Sequence, residues 1–449
     1  MNESVPPITH ISRGRVAVSV TCLALVIAGC SDLTRVSDPT VISPTSYDNA
    51  SGALLRRAGA IRDFYQALSQ QAYSTGLISD ELLDNQGAAA YADRRDVSAN
   101  APISGAGFPY PTLSNARLEA ILAIQTLQEY PAAASSRTGE LFALVGYVET
   151  YFAENLCSGV PLASVVGGRP VIGPTLSTSQ LYAQAEIDFD SAARYAVDTT
   201  GAPDSNIVYL AWVGKARVLL DNGDWSAAGA LASQVSAAYG YAATFSNTQS
   251  GQQNQLGNAM YELQTSVSER EGENGLDFVT AGDPRVQTNA FPSYGPENLI
   301  GYQFSPYIPG PYQPIIVASG TEAQLIVAEA MLQIGNVAGW RGILSALRTA
   351  YPDTALSNHP IPDDSSVSAS AAMQVSVHFR ERAFWLFLTG HRHGDMRRLI
   401  RQYQRPTETV FPTGPYSEGA GLSYGTDVTF VPYDETGNTG YQGCLNRSA

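Results

Sequence analysis

The stretch His378–Arg401, HFRERAFWLFLTGHRHGDMRRLIR, limits what this chain can fold into more than any other. Phe379, Ala383, Phe384, Leu386, Phe387 and Leu388 give its first half a broad apolar face at helical spacing, so that half must pack as a helix against a core. Gly390 falls where such a helix stops, because glycine takes the left-handed cap conformation at no steric cost. Met396, Leu399 and Ile400 resume a helical stripe beyond it. Glu381, Arg382, Arg392, Asp395 and Arg398 crowd the bend between the two segments. The plain reading is that these charges satisfy one another and lock the bend. The sharper alternatives are an anion clamp, or a metal site at His391 and His393, for which a chain with five histidines offers few further ligands.

The rest of the chain supplies partners for that element. A helix is expected from Ser51, where Leu54, Leu55, Ala58, Ile61, Phe64, Tyr65 and Leu68 recur at helical spacing. Further helices are expected over Leu113–Leu127, Gly139–Asn155, Thr178–Tyr195, Tyr209–Leu220 and Ser226–Tyr239. Gly223 makes a turn in LLDNGDWSAAGALASQV, and Ala216 and Ala227 permit close helix contact, as in a tetratricopeptide-type hairpin. Paired helices of similar length predict an α-solenoid-like scaffold over 113–239, continued by Gly320–Gly335, Trp340–Ala350 and the element ending near 402. The expected fold is therefore mainly α, a superhelix of tetratricopeptide-like repeats with a loop-rich, irregular ligand-binding face.

That face is expected over 240–315, where the helical period fades into Gly, Asn, Gln, Pro and Tyr, with a short strand over Met260–Val267. Phe291, Tyr294, Tyr302, Phe304, Tyr307 and Tyr312 lie there among prolines, and Tyr91, Phe108 and Tyr110 lie in the irregular segment 86–112. Rigid loops bearing exposed rings suit a glycan, because a pyranose presents an apolar C–H face to a ring while its hydroxyls take polar partners. The competing reading is that such rings plug a loop-rich core. The candidates for ligand contact are Tyr91, Phe108, Tyr110, Tyr294, Tyr302, Tyr307 and Tyr312.

Arg13 and Arg15 precede the apolar run Val16–Ile27, which is short for a membrane span and fits a secretory h-region. It ends in Ile27–Ala28–Gly29–Cys30, which resembles a bacterial lipobox. The resemblance implies removal of 1–29, lipidation of Cys30, a tether over 30–50 and one domain over 51–449. Cys22 would leave with the leader, and the modified Cys30 would leave Cys157 and Cys444. Two cysteines in an oxidising compartment are most simply a disulfide. The formal charge of −15 argues against nucleic acid and anionic membrane surfaces as partners.

No Walker loop, CxxC pair, G-x-S-x-G elbow or HExxH occurs, and no cofactor, metal or catalytic residue is expected. A glycosidase would need two positioned carboxylates, and Asp80 with Glu81 or Asp277 with Asp283 are the pairs that would have to supply them.

The order of these features resembles the SusD/RagB family. Glu381–Arg382, Phe387, Gly390, Arg392, Asp395 and Arg398 fall in register with its C-terminal E-R-x-x-E-L-x-x-E-G-x-R-x-x-D-L-x-R pattern. Trp385–Leu386 and Thr389 stand where that pattern has Glu-Leu and Glu. Ser79–Asp80–Glu81 after the first helix, Val160–Pro161–Leu162, Asp283–Pro284–Arg285 and Ala328–Glu329–Ala330 match further landmarks in order. The resemblance implies a surface lipoprotein of the outer membrane that binds a glycan or other nutrient, sits on a TonB-dependent, SusC-like β-barrel importer and is not an enzyme. The alternatives are a helical-repeat adaptor with no small ligand, and a surface glycosidase.

Overall fold

Helical periodicity fixes most of the architecture, and local capping fixes where each helix begins. In the computed structural model, residues 47–87, 90–97, 109–131, 134–248, 252–293, 300–359, 361, 370–416, 421–432, 441 and 443–448 are described. The first helix, α1 (Ala50–Ile78), starts where the Asn49 side chain accepts the Gly52 N–H, and runs unbroken for 29 residues. Strand β1 (Leu82–Asp84) and the short α2 (Ala90–Asp93) follow, then α3 (Tyr110–Glu129) and α4 (Ser136–Asn155). Two small hairpins, β2 (Val160–Pro161) with β5 (Thr175–Leu176) and β3 (Ser164–Val166) with β4 (Arg169–Val171), lead to α5 (Thr178–Tyr195). A Ser177/Gln180 capping box opens α5.

Then come α6 (Ser205–Asp221) and α7 (Trp225–Ala232), joined by a turn at Gly223 whose φ of 82° suits glycine. The expected helix through Tyr239 stops seven residues early. Beyond it Gly240–Ala243 forms β6, paired antiparallel with β10 (Ile315–Ser319). Met260 likewise belongs to a helix, α8 (Gln255–Tyr261), and only Thr265–Val267 is a strand, β7, paired with β1. Strands β8 (Thr288–Pro292) and β9 (Ile300–Phe304) pair antiparallel. The chain returns to helix with α9 (Gly320–Gln333), α10 (Val337–Ala350), α11 (Ala371–Trp385) and α12 (Arg392–Arg401).

Each scaffold helix packs on the next: α1 on α3, α3 on α4, α4 on α5, α5 on α6, α6 on α7, α7 on α9 and α9 on α10. This serial packing is the superhelix that the repeats predict. Gly229 lets α7 approach α9 closely, since a Cβ there would meet the Ala330 methyl at 2.6 Å. Helix α12 touches α1 and α4 and so closes the scaffold on itself. Phe64, Tyr147, Tyr151, Phe152 and Phe189 fill the main core and are at most 1 % exposed. Burying each such side chain contributes roughly 1.5–3 kcal/mol. A second cluster around Trp340, Leu344, Phe379 and Met396 joins α9 and α10 to α11 and α12. Residues 49–449 form one compact unit. No helix among the described residues is long and apolar enough to cross a membrane.

Cys157 and Cys444 are bridged, with Cα atoms 5.8 Å apart, and the tail is further held by the Cys157 N–H to Phe430 carbonyl bond and the Ser158 N–H to Asn446 carbonyl bond.

Candidate functional site

The bend between α11 and α12 is built by charges from distant parts of the chain. Helix α11 ends at Trp385, five residues before Gly390, because Leu388 already takes the left-handed conformation (φ 56°) and its N–H donates to Glu81 Oε1 at 3.0 Å. Gly390 follows with φ 83°, its carbonyl accepting from Gln71 Nε2. Asp80 accepts from Arg392 Nε and Nη2 at 2.6 and 2.8 Å. Arg382 donates to Asp395 at 2.8 Å, Asp395 also accepts from Arg398 at 3.0 Å, and Arg398 reaches Glu329. Glu381 is held by Arg285 and Arg348. All five charged signature residues are at most 7 % exposed and paired with carboxylates or guanidiniums of the protein itself. They hold the fold together and present no face to a ligand.

The two HxH histidines are spent in the same way. Burial and then the Arg217 charge push His391 well below the usual imidazole range, so the neutral ring accepts from Arg217 Nη2 at 3.1 Å. His393, pushed down to about 3 by burial, lies 2.9 Å from the Asn155 side-chain amide and 2.9 Å from the Val428 carbonyl. No group of three or more metal-ligating side chains occurs among the described residues.

Neither carboxylate pair is set out for hydrolysis. Asp80 and Glu81 have no exposure, and Asp277 and Asp283 are engaged by Arg380 and Arg285. Burial pushes Glu81 up to about 8, with the Leu388 N–H bond offsetting only part of that rise. A glutamate whose folded value is raised stabilises most below its unfolded pKa of about 4.3, and that contribution fades as pH climbs to the folded value. Glu81→Gln keeps the acceptor for Leu388 and removes the titration. Urea unfolding from pH 5 to 9 is therefore expected to show wild type losing stability relative to the variant as pH rises, and parallel profiles would refute this assignment.

The ring candidates separate sharply. Tyr110 and Tyr307 are 6 and 3 % exposed, and both are corrected to core positions. Tyr110 packs on Phe152 and its hydroxyl donates to the Pro161 carbonyl, while Tyr307 sits beside Phe304 with its hydroxyl facing Asn254 Nδ2. Tyr91 and Tyr302 are half-buried and Tyr312 is exposed. Arg94 covers Tyr91 at 5.4 Å from the ring centroid, and Tyr302 packs against the main core from β9. Phe108, Tyr294 and Cys30 lie outside the described residues.

A different pair of rings lines a cleft. Tyr65 on α1 and Phe245, two residues after β6, have ring centroids 6.4 Å apart and border a cavity of about 170 Å³. Arg62, Gln66, Thr244 and Gln252 add polar groups to its wall. Behind the rings, Tyr65 and Tyr241 hydroxyls lie 3.4 Å apart and Tyr241 donates to Glu140 at 2.6 Å, which fixes the tyrosine in place. A flat apolar surface with amide and guanidinium donors around it is the chemistry a sugar ring requires. Sequence reasoning missed this pair because Tyr65 sits in a helix whose apolar residues read as core, and nothing local links it to Phe245. The Tyr65–Gln66 step, at the edge of the apolar stripe, is the one available signal.

No family model matches the chain, and no curated protein matches it. Solved structures do. A SusD superfamily protein from Bacteroides vulgatus is 14 % identical, with 86 % of this chain and 96 % of that chain covered at a TM-score of 0.61. A laminarin-binding SusD-like protein is 15 % identical, with coverage of 89 and 100 % and a TM-score of 0.60. A SusD-like carbohydrate-binding protein from Bacteroides vulgatus is 12 % identical, with coverage of 78 and 83 % and a TM-score of 0.52.

Proposed function

We propose that this chain, whose fold is that of the SusD superfamily, binds a glycan and delivers it, as an outer-membrane lipoprotein anchored through Cys30, to a TonB-dependent β-barrel. The observation that carries the glycan reading is the Tyr65–Phe245 cleft, two rings in a cavity the size of a single sugar ring with side-chain hydrogen-bonding groups around it. A neighbour of the same fold described as binding laminarin supports the class of ligand. The lipobox-like Ile27–Cys30 sequence supports the anchor, and the anchor together with the fold supports the barrel as partner.

Calorimetry with laminarin oligosaccharides first, and then other neutral oligosaccharides, tests the cleft. Tyr65→Ala is expected to weaken binding about tenfold, or ~1.4 kcal/mol, by removing the stacking face. Phe245→Leu keeps apolar volume without a flat ring and should weaken it less. Unchanged affinity in both variants would move the site elsewhere. Purification from the native membrane in mild detergent tests the partner, because stoichiometric recovery of a large barrel is expected and recovery of the chain alone would reject delivery to it.

A further inference from the structure

A second cleft, of about 430 Å³, opens at the start of α5, remote in sequence from Tyr65 and Phe245. Ser177, Thr178 and Ser179 form one wall, and Arg397 and Arg401 of α12 form another. The C-terminal tail supplies a third through Asn446 and Ser448, held there by the Cys157–Cys444 bridge. Thr178 N–H is taken by Ser158 Oγ and Gln180 N–H by Ser177 Oγ, while the Ser179 N–H has no acceptor among the described residues. An 18-residue helix thus points its positive end into the cleft with one donor left over.

The two arginines differ from their neighbours on α12. Arg392 and Arg398 pair with Asp80, Asp395 and Glu329, whereas Arg397 and Arg401 have no carboxylate within 4 Å among the described residues. Arg397 is 2 % exposed, and among the described residues its Nη1 donates only to the backbone carbonyls of Ala153, Glu154 and Leu156 and its Nε has no partner. Burial and then the Arg401 charge pull Arg397 down to about 10, more than Tyr182, Glu154 and Asp221 raise it. Asp221 also lines the cleft but is drawn to Arg398 Nε at 3.4 Å, and burial raises its pKa. Arg401 also acts on Asp221, and Tyr182 on Arg401, so an incoming anion competes with Asp221 for that guanidinium.

We infer that this cleft binds a small oxyanion, a carboxylate or sulfate group, between Arg401, Arg397 and the N-terminus of α5. In a chain of net charge −15, two guanidiniums with no carboxylate within 4 Å among the described residues, beside a helix N-terminus, are where an anion gains most. The oxyanion can come free from solution or as the acid group of a sugar, whose hydroxyls the serines would meet. This site stands whether or not the Tyr65 cleft binds glycan.

Calorimetric titration of the full chain at low ionic strength with sodium sulfate, sodium glucuronate and glucose tests it. Both anions are expected to bind and glucose is not, with at least tenfold weakening in Arg401→Gln, the loss of one charge-assisted contact. Tighter binding of glucuronate than of sulfate identifies an acidic sugar as the source, and equal or tighter binding of sulfate identifies a free anion. The proposal is overturned if neither anion binds, or if Arg401→Gln binds both as wild type does. Phenylglyoxal modification of the wild-type chain gives a readout that needs no variant. The anions should slow reaction at Arg401 but not at the exposed Arg169, and equal rates at Arg401 with and without them would also overturn it.

Discussion

Glu329→Ala is expected to destabilise the fold by about 3–5 kcal/mol, the cost of leaving buried cationic and polar partners without their shared acceptor. Glu329 has no exposure and accepts from Arg398, from Tyr403 at 2.5 Å and from His378 Nε2 at 3.2 Å. The His378 proton is placed on Nε2 because Nδ1 already accepts from Trp340 Nε1 at 3.3 Å. Burial opposes ionisation of this carboxyl, but Arg398 and His378 outweigh burial and hold it below the usual glutamate range. A depressed folded value stabilises above the unfolded pKa and is lost as pH falls through the folded one. Urea denaturation at pH 7 should therefore show the full loss in the variant, and the gap to wild type should narrow as acid is added below about pH 4. A loss under 1 kcal/mol at pH 7 would mean that Arg398 is satisfied by Asp395 and Asp221 alone.

Removing the bridge should have the next largest effect. Cys157→Ser, or reduction of the native chain, is expected to lower stability by about 2–4 kcal/mol, because the bond closes a loop across 287 positions of sequence. Part of that loss will be local. Phe430 is fully buried and its N–H donates to the Asn155 carbonyl, so the tail should loosen from α4 outward toward Asn446. The urea midpoint with and without reductant checks the size, and hydrogen exchange at Cys157 and Ser158 checks the location. An unchanged midpoint on reduction would show that the tail docks by packing alone.

How legible the fold was depended on whether the deciding contact was near in sequence. Helix α5 runs from Thr178 to Tyr195 as its pattern predicts, because the Ser177/Gln180 capping box that starts it lies within three residues. Helix α7 is read too long because its end is set by β6, whose partner β10 lies more than seventy residues on. Gly390 marks the bend correctly but not its onset. A leucine at positive φ is improbable from sequence, and Leu388 adopts it where Glu81 accepts its N–H from 307 residues away. The reading of 378–401 as a structural ionic element holds for Arg382, Asp395 and Arg398, which pair within it, whereas Glu381 and Arg392 take partners from Arg285, Arg348 and Asp80, far away in sequence, which no local pattern shows.

The site was less legible. The fading helical period marks 240–315 as loop-rich but misses the β8–β9 hairpin within it, and a tyrosine there is equally able to plug the core, as Tyr307 does, or to remain exposed, as Tyr312 does. Only the three-dimensional neighbourhood separates the two. Tyr65 and Phe245 become a pair because β6 carries the chain back across α1, a relation that no local spacing encodes.

The pairing of Asp80 with Arg392 spans 312 residues, and that of Glu81 with Leu388 spans 307. During synthesis, the first helix and the two acids that follow it emerge long before Arg392 and the Leu388 N–H that meet them in the native fold. Until then a nascent chain carries carboxylates whose burial has no compensation, and the early helices gain little by closing over them. Completion of the native structure is thereby deferred until nearly the whole polypeptide has been made, which makes the order of translation itself a brake on premature folding.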